Sequence, residues 1–159
     1  MEQAFFAGGC FWGLEYYFAT QTGVMQTQVG YIGGHLENPS YEQVCAGDST
    51  HAEAIAILFQ PEQVSYTHLC KLFFELHDPT QLNRQGPDIG SQYRSAIFYT
   101  NAQQHSIAQE LKDSLIAKGL AVVTQIQAAT KFWLAEEYHQ GYYTKTSDTP
   151  YCHSYTKRF

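Results

Sequence analysis

The sequence predicts an α+β domain: a two-layer α/β plait with a ferredoxin-like core, long active-site loops and an irregular C-terminal tail. Three observations carry this. Apolar spacing switches between strand-like runs and helical periodicity in the order β-α-β-β-α-β, followed by α-β, which is the split βαβ arrangement. The chain has 159 residues, one domain's length, with no repeat, low-complexity tract or linker. Two loops exceed the dozen or so residues usual in a compact domain, and loops of that length are commonly functional.

The elements follow in order. Residues 3–7 read as a first strand, broken by Gly8-Gly9. Residues 10–20 read as a helix, with Phe11, Leu14, Tyr17 and Phe18 on one face and Gly23 beyond its end. Residues 24–32 form a second strand. The first long loop spans 33–51 and contains one helical turn over 41–46, where Ser40 and Gln43 can form a capping box. Residues 52–59 are a short apolar run, best read as a central strand. Ser65 caps a helix bearing Leu69, Leu72, Phe73 and Leu76, stopped by Pro79. The second long loop, 79–93, is rich in Gly, Pro, Asn and Asp. A strand over 94–99, a helix between Asn101 and Gly119, and a strand over 121–127 follow. Residues 135–143 read as a short helix. The tail, from about 145 to 159, is expected to be mobile.

Composition excludes several classes. Hydrophobic residues are 44% and charged residues 15%, too apolar for a disordered chain. Fifteen acids against nine Lys and Arg give −6, so no basic nucleic-acid or polybasic membrane footprint exists. No apolar run reaches the ~20 residues of a membrane span, and residues 1–6 lack a signal-peptide pattern. The expectation is a cytoplasmic monomer. Twelve Tyr, ten Phe and two Trp supply core mass, and Tyr in loops also suits a pocket for a ligand with an apolar body and a polar tip.

The four cysteines, at 10, 45, 70 and 152, show no C-x-x-C pair and no recurring ligand spacing, which argues against a structural metal site. Cys10 stands at a strand-to-helix turn between Gly9 and Phe11-Trp12-Gly13. A helix N-terminus offers unpaired N–H groups and partial positive charge, and both favour the nucleophilic thiolate. Phe11 and Trp12 place apolar faces beside the sulfur. A buried structural cysteine fits the same context equally well. Glu53 begins an otherwise apolar strand. Buried, it would be a neutral acid able to donate a proton; on an edge strand it would simply face water, and position alone favours the edge. Cys152 lies in the tail, where a thiol can travel to another sulfur. Cys70 flanks an apolar helix face and reads as packing; Cys45 lies in the first long loop and could be either. Among seven His, His51 is the best candidate for a site role, because it precedes Glu53.

These residues fall in an ordered set of motifs: Gly9-Cys10-Phe11-Trp12-Gly13, Gly30-Tyr31-Ile32-Gly33-Gly34, Asn38-Pro39-Ser40-Tyr41, Val44-Cys45-Ala46-Gly47 and His51-Ala52-Glu53. His77-Asp78-Pro79-Thr80, Asn83-Arg84-Gln85-Gly86-Pro87-Asp88, Gly90-Ser91-Gln92-Tyr93-Arg94-Ser95, Glu137-Tyr138-His139-Gln140 and Tyr151-Cys152 continue it. The set resembles the methionine sulfoxide reductase A family over residues 9–152. The resemblance implies reduction of the S epimer of methionine sulfoxide, free or in oxidised proteins, as part of protein repair under oxidative stress. It implies Cys10 as the nucleophile on the sulfoxide sulfur and Glu53 as the acid that protonates the departing oxygen. Tyr41 and Tyr93 would hydrogen-bond that oxygen, and Asp88 would help position substrate and water. Phe11 and Trp12 would hold the S-methyl group, with Tyr151 a further wall. Cys152 would resolve the Cys10 sulfenic acid as a disulfide, recycled by thioredoxin or a similar dithiol, with no metal or organic cofactor required.

The sequence departs from the family pattern in three places. Thr50 replaces a glycine before His51, and Leu134 replaces a proline before Ala135-Glu136. Between Lys145 and Cys152 the chain is one residue longer and lacks the usual Asn-Pro and Gly, which bears on the path of Cys152; Cys45 is the fallback partner. Two other readings compete. A cysteine hydrolase or acyltransferase would use Cys10 with His51 or His139 as base and would leave Cys152 dispensable. A non-catalytic binder of oxidised methionine would bind without turnover.

Overall fold

The computed structural model describes residues 1–47, 49–151 and 153–159. The chain runs β1 (Glu2–Ala7), α1 (Phe11–Phe18), β2 (Val24–Ile32), α2 (Tyr41–Cys45), β3 (Ala52–Phe59) and α3 (Tyr66–Leu76). Next come β4 (Arg84–Gln85), β5 (Asp88–Ile89), β6 (Ala96–Tyr99), α4 (Ala102–Ala117), β7 (Gln125–Ala128), β8 (Trp133–Leu134) and α5 (Tyr142–Thr146). The main sheet has the order β7-β6-β1-β3-β2-β8. Its inner strands β6, β1, β3 and β2 are antiparallel neighbours, and β7 joins β6 in parallel after the α4 crossover. The plait expected from the element order is therefore the observed fold.

Side-chain alternation on β1 divides the core. Ala4 and Phe6 enter the layer packed by α1, α3 and α4, whereas Phe5 and Ala7 enter a second cluster with Ile32, Ala54 and Phe98. Phe6 is fully buried, with its ring stacked on Phe18, Tyr66 and Phe73 at centroid distances of 5.5, 5.9 and 5.0 Å.

Four local readings are corrected. The first helix begins at Phe11, because Cys10 holds an extended conformation (φ −61, ψ 126), and it closes at Phe18. The second long loop contains the two-residue strands β4 and β5 and a 3-10 turn at Ser91–Tyr93. Strands that short carry no periodicity to read. The strand expected from residue 121 begins at Gln125, since the backbone before it is committed elsewhere: Val123 N donates to Pro79 O, and Lys112 Nζ donates to Thr124 O. The helix expected over 135–143 is a 3-10 turn at Glu137–His139 and then α5, separated by Gly141 in the left-handed region (φ 61).

His77 closes α3 directly behind the Gly8-Gly9 turn. A Cβ on Gly8 would lie 3.0 Å from the His77 and Phe73 rings, so the absence of a side chain there lets the two rings approach closely. The Nδ1–H of His77 donates to Phe73 O (2.7 Å), and Nε2 accepts from Ser95 Oγ (2.7 Å). In the neutral ring, with Nδ1 donating, Nε2 has the lone pair that accepts from Ser95. Burial pulls its pKa from 6.5 to about 3. The unfolded chain therefore takes up a proton between these values that the fold excludes. Stability falls as pH drops through that window, by up to ~1.4 kcal/mol per pH unit from this group. Denaturation midpoints of the parent and His77→Gln across the window check this; equal slopes contradict it.

Candidate active site

Cys10 is placed by the turn between β1 and α1. Gly9 adopts φ 89, and a Cβ there would press within 2.9 Å of the Gln85 side chain. This brings the second long loop against the cysteine's own turn. Cys10 is 6% exposed, and its carbonyl receives Gly13 N at 3.2 Å as α1 begins. Its sulfur thus lies at the N-terminal end of α1, as the glycine pattern implied.

Glu53 lies on β3, between β1 and β2, opposite Tyr31 in the register. It is 1% exposed, so the edge-strand alternative is wrong. The error came from its position at the start of the strand, which gives no information about neighbours on either side. Phe11 N, the first amide of α1, donates to Glu53 Oε1 at 3.3 Å. The carboxyl group and the thiol therefore flank the same helix N-terminus.

The two long loops bring the phenols. Ser40 and Gln43 form the expected capping box of α2, which opens with Tyr41. Tyr93 ends the 3-10 turn of the second loop. Burial, the Cys45 side chain and Glu53 push the Tyr41 phenol well above its usual range. Burial, Glu53, Cys45, Asp88 and Cys10 do the same to Tyr93. Both stay protonated and able to donate at neutral pH, and Tyr93 feels Glu53 and Cys10 together. Asp88, on β5, accepts from the Tyr151 hydroxyl at 3.0 and 3.1 Å through its two oxygens.

Phe11 is fully buried and Trp12 partly so, in one cluster with Cys10 and Tyr41. Trp12 stacks on Tyr142 at 3.7 Å and donates its indole N–H to His139 Nδ1 at 3.0 Å. The residue that locks this wall, His139, entered the sequence reading only as a candidate base of the competing acyltransferase, not as a partner of Trp12. Glu136 was noted in the sequence only as a neighbour of Leu134, with no role. Its two oxygens accept from the Tyr31 hydroxyl (2.9 Å) and from Tyr41 N (3.0 Å), at the opening of α2. A carboxylate preceding a His-Gln pair carries no sequence signal for such a task. Glu136→Ala is expected to lower kcat/KM about tenfold through the loosened Tyr41, and to reduce Tm. A parent-like kcat/KM would contradict that placement.

The remaining candidates divide. Cys152 lies outside the described residues. Cys45 is exposed and near the Tyr41 phenol, and burial of its sulfur raises its pKa. Cys70 is fully buried among apolar neighbours, as expected for packing. His51 has a structural task. Its Nδ1 accepts from Gly34 N (2.9 Å) and its Nε2–H donates to Leu36 O (2.7 Å), tying the first long loop together. In His139, Nδ1 accepts from Trp12, so the proton resides on Nε2. Neither of these two imidazoles has a lone pair to offer a thiol, so neither His51 nor His139 serves as the base that the acyltransferase reading assigned to them. Among the described residues no helix is long and apolar enough to cross a membrane.

Fold and site together gather a buried thiol, a buried carboxyl group and two phenols, the make-up of a thiol-dependent enzyme. The family profile described as peptide methionine sulfoxide reductase matches residues 2–159. The chain is 50% identical over 148 residues to a peptide methionine sulfoxide reductase MsrA of Methanosarcina acetivorans, covering 91% of this chain and 79% of the relative. It is 49% identical over 152 residues to one of Acinetobacter baumannii, covering 96% and 88%. Reduced Mxr1 from Saccharomyces cerevisiae superposes with a TM-score of 0.91 at 33% identity, covering 97% of this chain and 91% of that one. Mxr1 in complex with Trx2 superposes at 0.66 and 22% identity, covering 97% and 88%, which bears on the fold alone. The chain belongs to the peptide methionine sulfoxide reductase family, and its activity is thiol-dependent reduction of methionine sulfoxide to methionine.

Proposed function

We propose that Cys10, as thiolate, attacks the sulfur of an S-epimer methionine sulfoxide held with its methyl group against Phe11 and Trp12. Glu53, carrying a proton, delivers it to the sulfoxide oxygen, and Tyr41 and Tyr93 donate hydrogen bonds to that oxygen. A sulfoxide oxygen leaves poorly unless protonated, so thiol and acid must act on one molecule together. Asp88 orients substrate and water. Methionine departs and Cys10 becomes a sulfenic acid. Cys152 condenses with it, releasing water and forming a Cys10–Cys152 disulfide. A thioredoxin-type dithiol then reduces the disulfide by exchange. Yeast Mxr1, 33% identical to this chain in its reduced form, is a protein solved in complex with Trx2, which supports that choice of reductant. The setting in this reading is a reducing one such as the cytoplasm, the enzyme acts as a monomer, and its substrates include methionine sulfoxide in oxidised proteins.

One observation carries the proposal. A buried carboxyl group and Cys10 flank one helix N-terminus, with Phe11 N only 3.3 Å from Glu53 Oε1. The test is steady-state turnover of separate S and R epimers of a blocked methionine sulfoxide, with dithiothreitol and then thioredoxin, by the parent and Cys152→Ser. The expected outcome is S-epimer turnover only, with the thioredoxin-driven rate lost in Cys152→Ser and dithiothreitol activity retained. Full thioredoxin-driven activity in Cys152→Ser would move the resolving role to Cys45 or to direct reduction of the sulfenic acid.

A further inference from the structure

The residue that follows Cys152 is held against the nucleophile's own turn. His153 is 4% exposed. Its Nε2 lies 2.7 Å from Gly8 O; a carbonyl only accepts, so Nε2 carries the proton and donates. Its ring fills the space that a Cβ on Gly13 would occupy, and a Cβ on Gly9 would come within 3.1 Å of Nε2. Two glycines on either side of Cys10 thus make room for this one imidazole. Its backbone is fixed as well, since the Tyr17 hydroxyl donates to His153 O at 3.3 Å.

The chain beyond continues as a strap. Thr156 N donates to Glu75 O (2.8 Å), Arg158 N to Glu75 Oε2 (3.1 Å) and Arg158 Nε to Phe74 O (2.8 Å). Residues 153–158 therefore bind the turn at Gly8 and the C-terminal end of α3. The group that excludes a side chain at Gly13 comes from the other end of the chain.

We propose that His153 is a positioning residue for disulfide formation: docked between Gly9 and Gly13, it tethers the resolving cysteine beside Cys10. This rests on the resolving role of Cys152 in the reading above. The step is Cys10 sulfenic acid plus Cys152 thiol giving the Cys10–Cys152 disulfide and water. It is intramolecular, so its rate depends on how often the two sulfurs meet. An anchor one residue from one thiol and two residues from the other raises that frequency without touching the sulfoxide. Losing it slows the second step and spares the first.

The experiment is a single turnover without reductant on the parent, His153→Ala and His153→Gln. It follows methionine release, the sulfenic acid trapped by a dimedone-type reagent, and the disulfide by mass spectrometry. In His153→Ala, methionine release is expected at the parent rate, with trapped sulfenic acid accumulating and the disulfide formed on the order of tenfold or more slowly. In His153→Gln, whose amide can donate to Gly8 O, disulfide formation recovers in part. A disulfide rate in His153→Ala equal to or above the parent's overturns the proposal, as does a loss confined to methionine release. Absence of the Cys10–Cys152 disulfide in the parent itself would instead overturn the resolving role of Cys152. Circular dichroism separates misfolding of His153→Ala from these outcomes, and His153→Gln is then compared with the parent alone: methionine release at the parent rate with slower disulfide formation is expected, and a disulfide rate at or above the parent's, or a loss confined to methionine release, counts against the tether.

Discussion

Replacing Cys10 with serine is expected to bring methionine formation down to the uncatalysed background while leaving the fold intact. The reason is electronic as much as nucleophilic. Reduction of a sulfoxide removes one oxygen from sulfur, and something must accept it. A thiol accepts it as a sulfenic acid, an accessible and reversible oxidation level of sulfur. A hydroxyl could accept it only as a hydroperoxide, which lies far uphill. Serine is also far less nucleophilic at neutral pH. Cys10 is 6% exposed in an extended residue ahead of α1, and serine is nearly isosteric there. The Tm should therefore stay close to the parent's, and substrate affinity with it. Chromatographic detection of methionine, with dithiothreitol in excess, checks this. Measurable turnover by Cys10→Ser would remove the cysteine from the centre of the reaction.

Glu53→Gln is expected to lower kcat by about 10²–10⁴-fold, the usual contribution of a positioned general acid. Glutamine keeps the volume in a fully packed strand and keeps an oxygen to accept from Phe11 N. It removes only the acidic proton. Tyr41 and Tyr93 remain as donors, and burial, the largest cause of their raised pKa values, still keeps them protonated. Phenols held that far above their ordinary range are weak acids, so they can hydrogen-bond the oxygen but cannot replace Glu53. A kcat within a fewfold of the parent's would assign the proton to another group. A large fall in Tm would instead mark Glu53 as structural.

The plait was legible because its main elements are long and regular. Residues 52–59 run apolar apart from Glu53, and they and residues 24–32 match β3 and β2 to the residue. Ser40, Ser65 and Asn101 each accept the backbone hydrogen bond expected of a helix cap. What escaped was short or non-local. β8 is two residues long and exists only because Gly30 and Tyr31 pair with it. The Gly141 break between the 3-10 turn and α5 is held by Glu15, whose carboxylate accepts from Gly141 N at 2.7 Å, a contact spanning most of the chain.

The site divides in the same way. Cys10, Phe11 and Trp12 are contiguous, and their motif could be read directly. The tasks of Glu136 and His139 could not. Each acts through residues about a hundred or more positions away, at Tyr31, Tyr41 and Trp12, and only the folded chain brings them together. Glu53 lay between these cases, since its chemistry was readable but its burial depended on which strands became its neighbours.

The most direct test of the central claim is to give Cys152→Ser one turnover of S-methionine sulfoxide without reductant and then weigh the peptide containing Cys10. The expected result is one methionine per enzyme and one added oxygen on Cys10, lost again on treatment with dithiothreitol. Methionine released with Cys10 unmodified and the oxygen elsewhere would contradict the account.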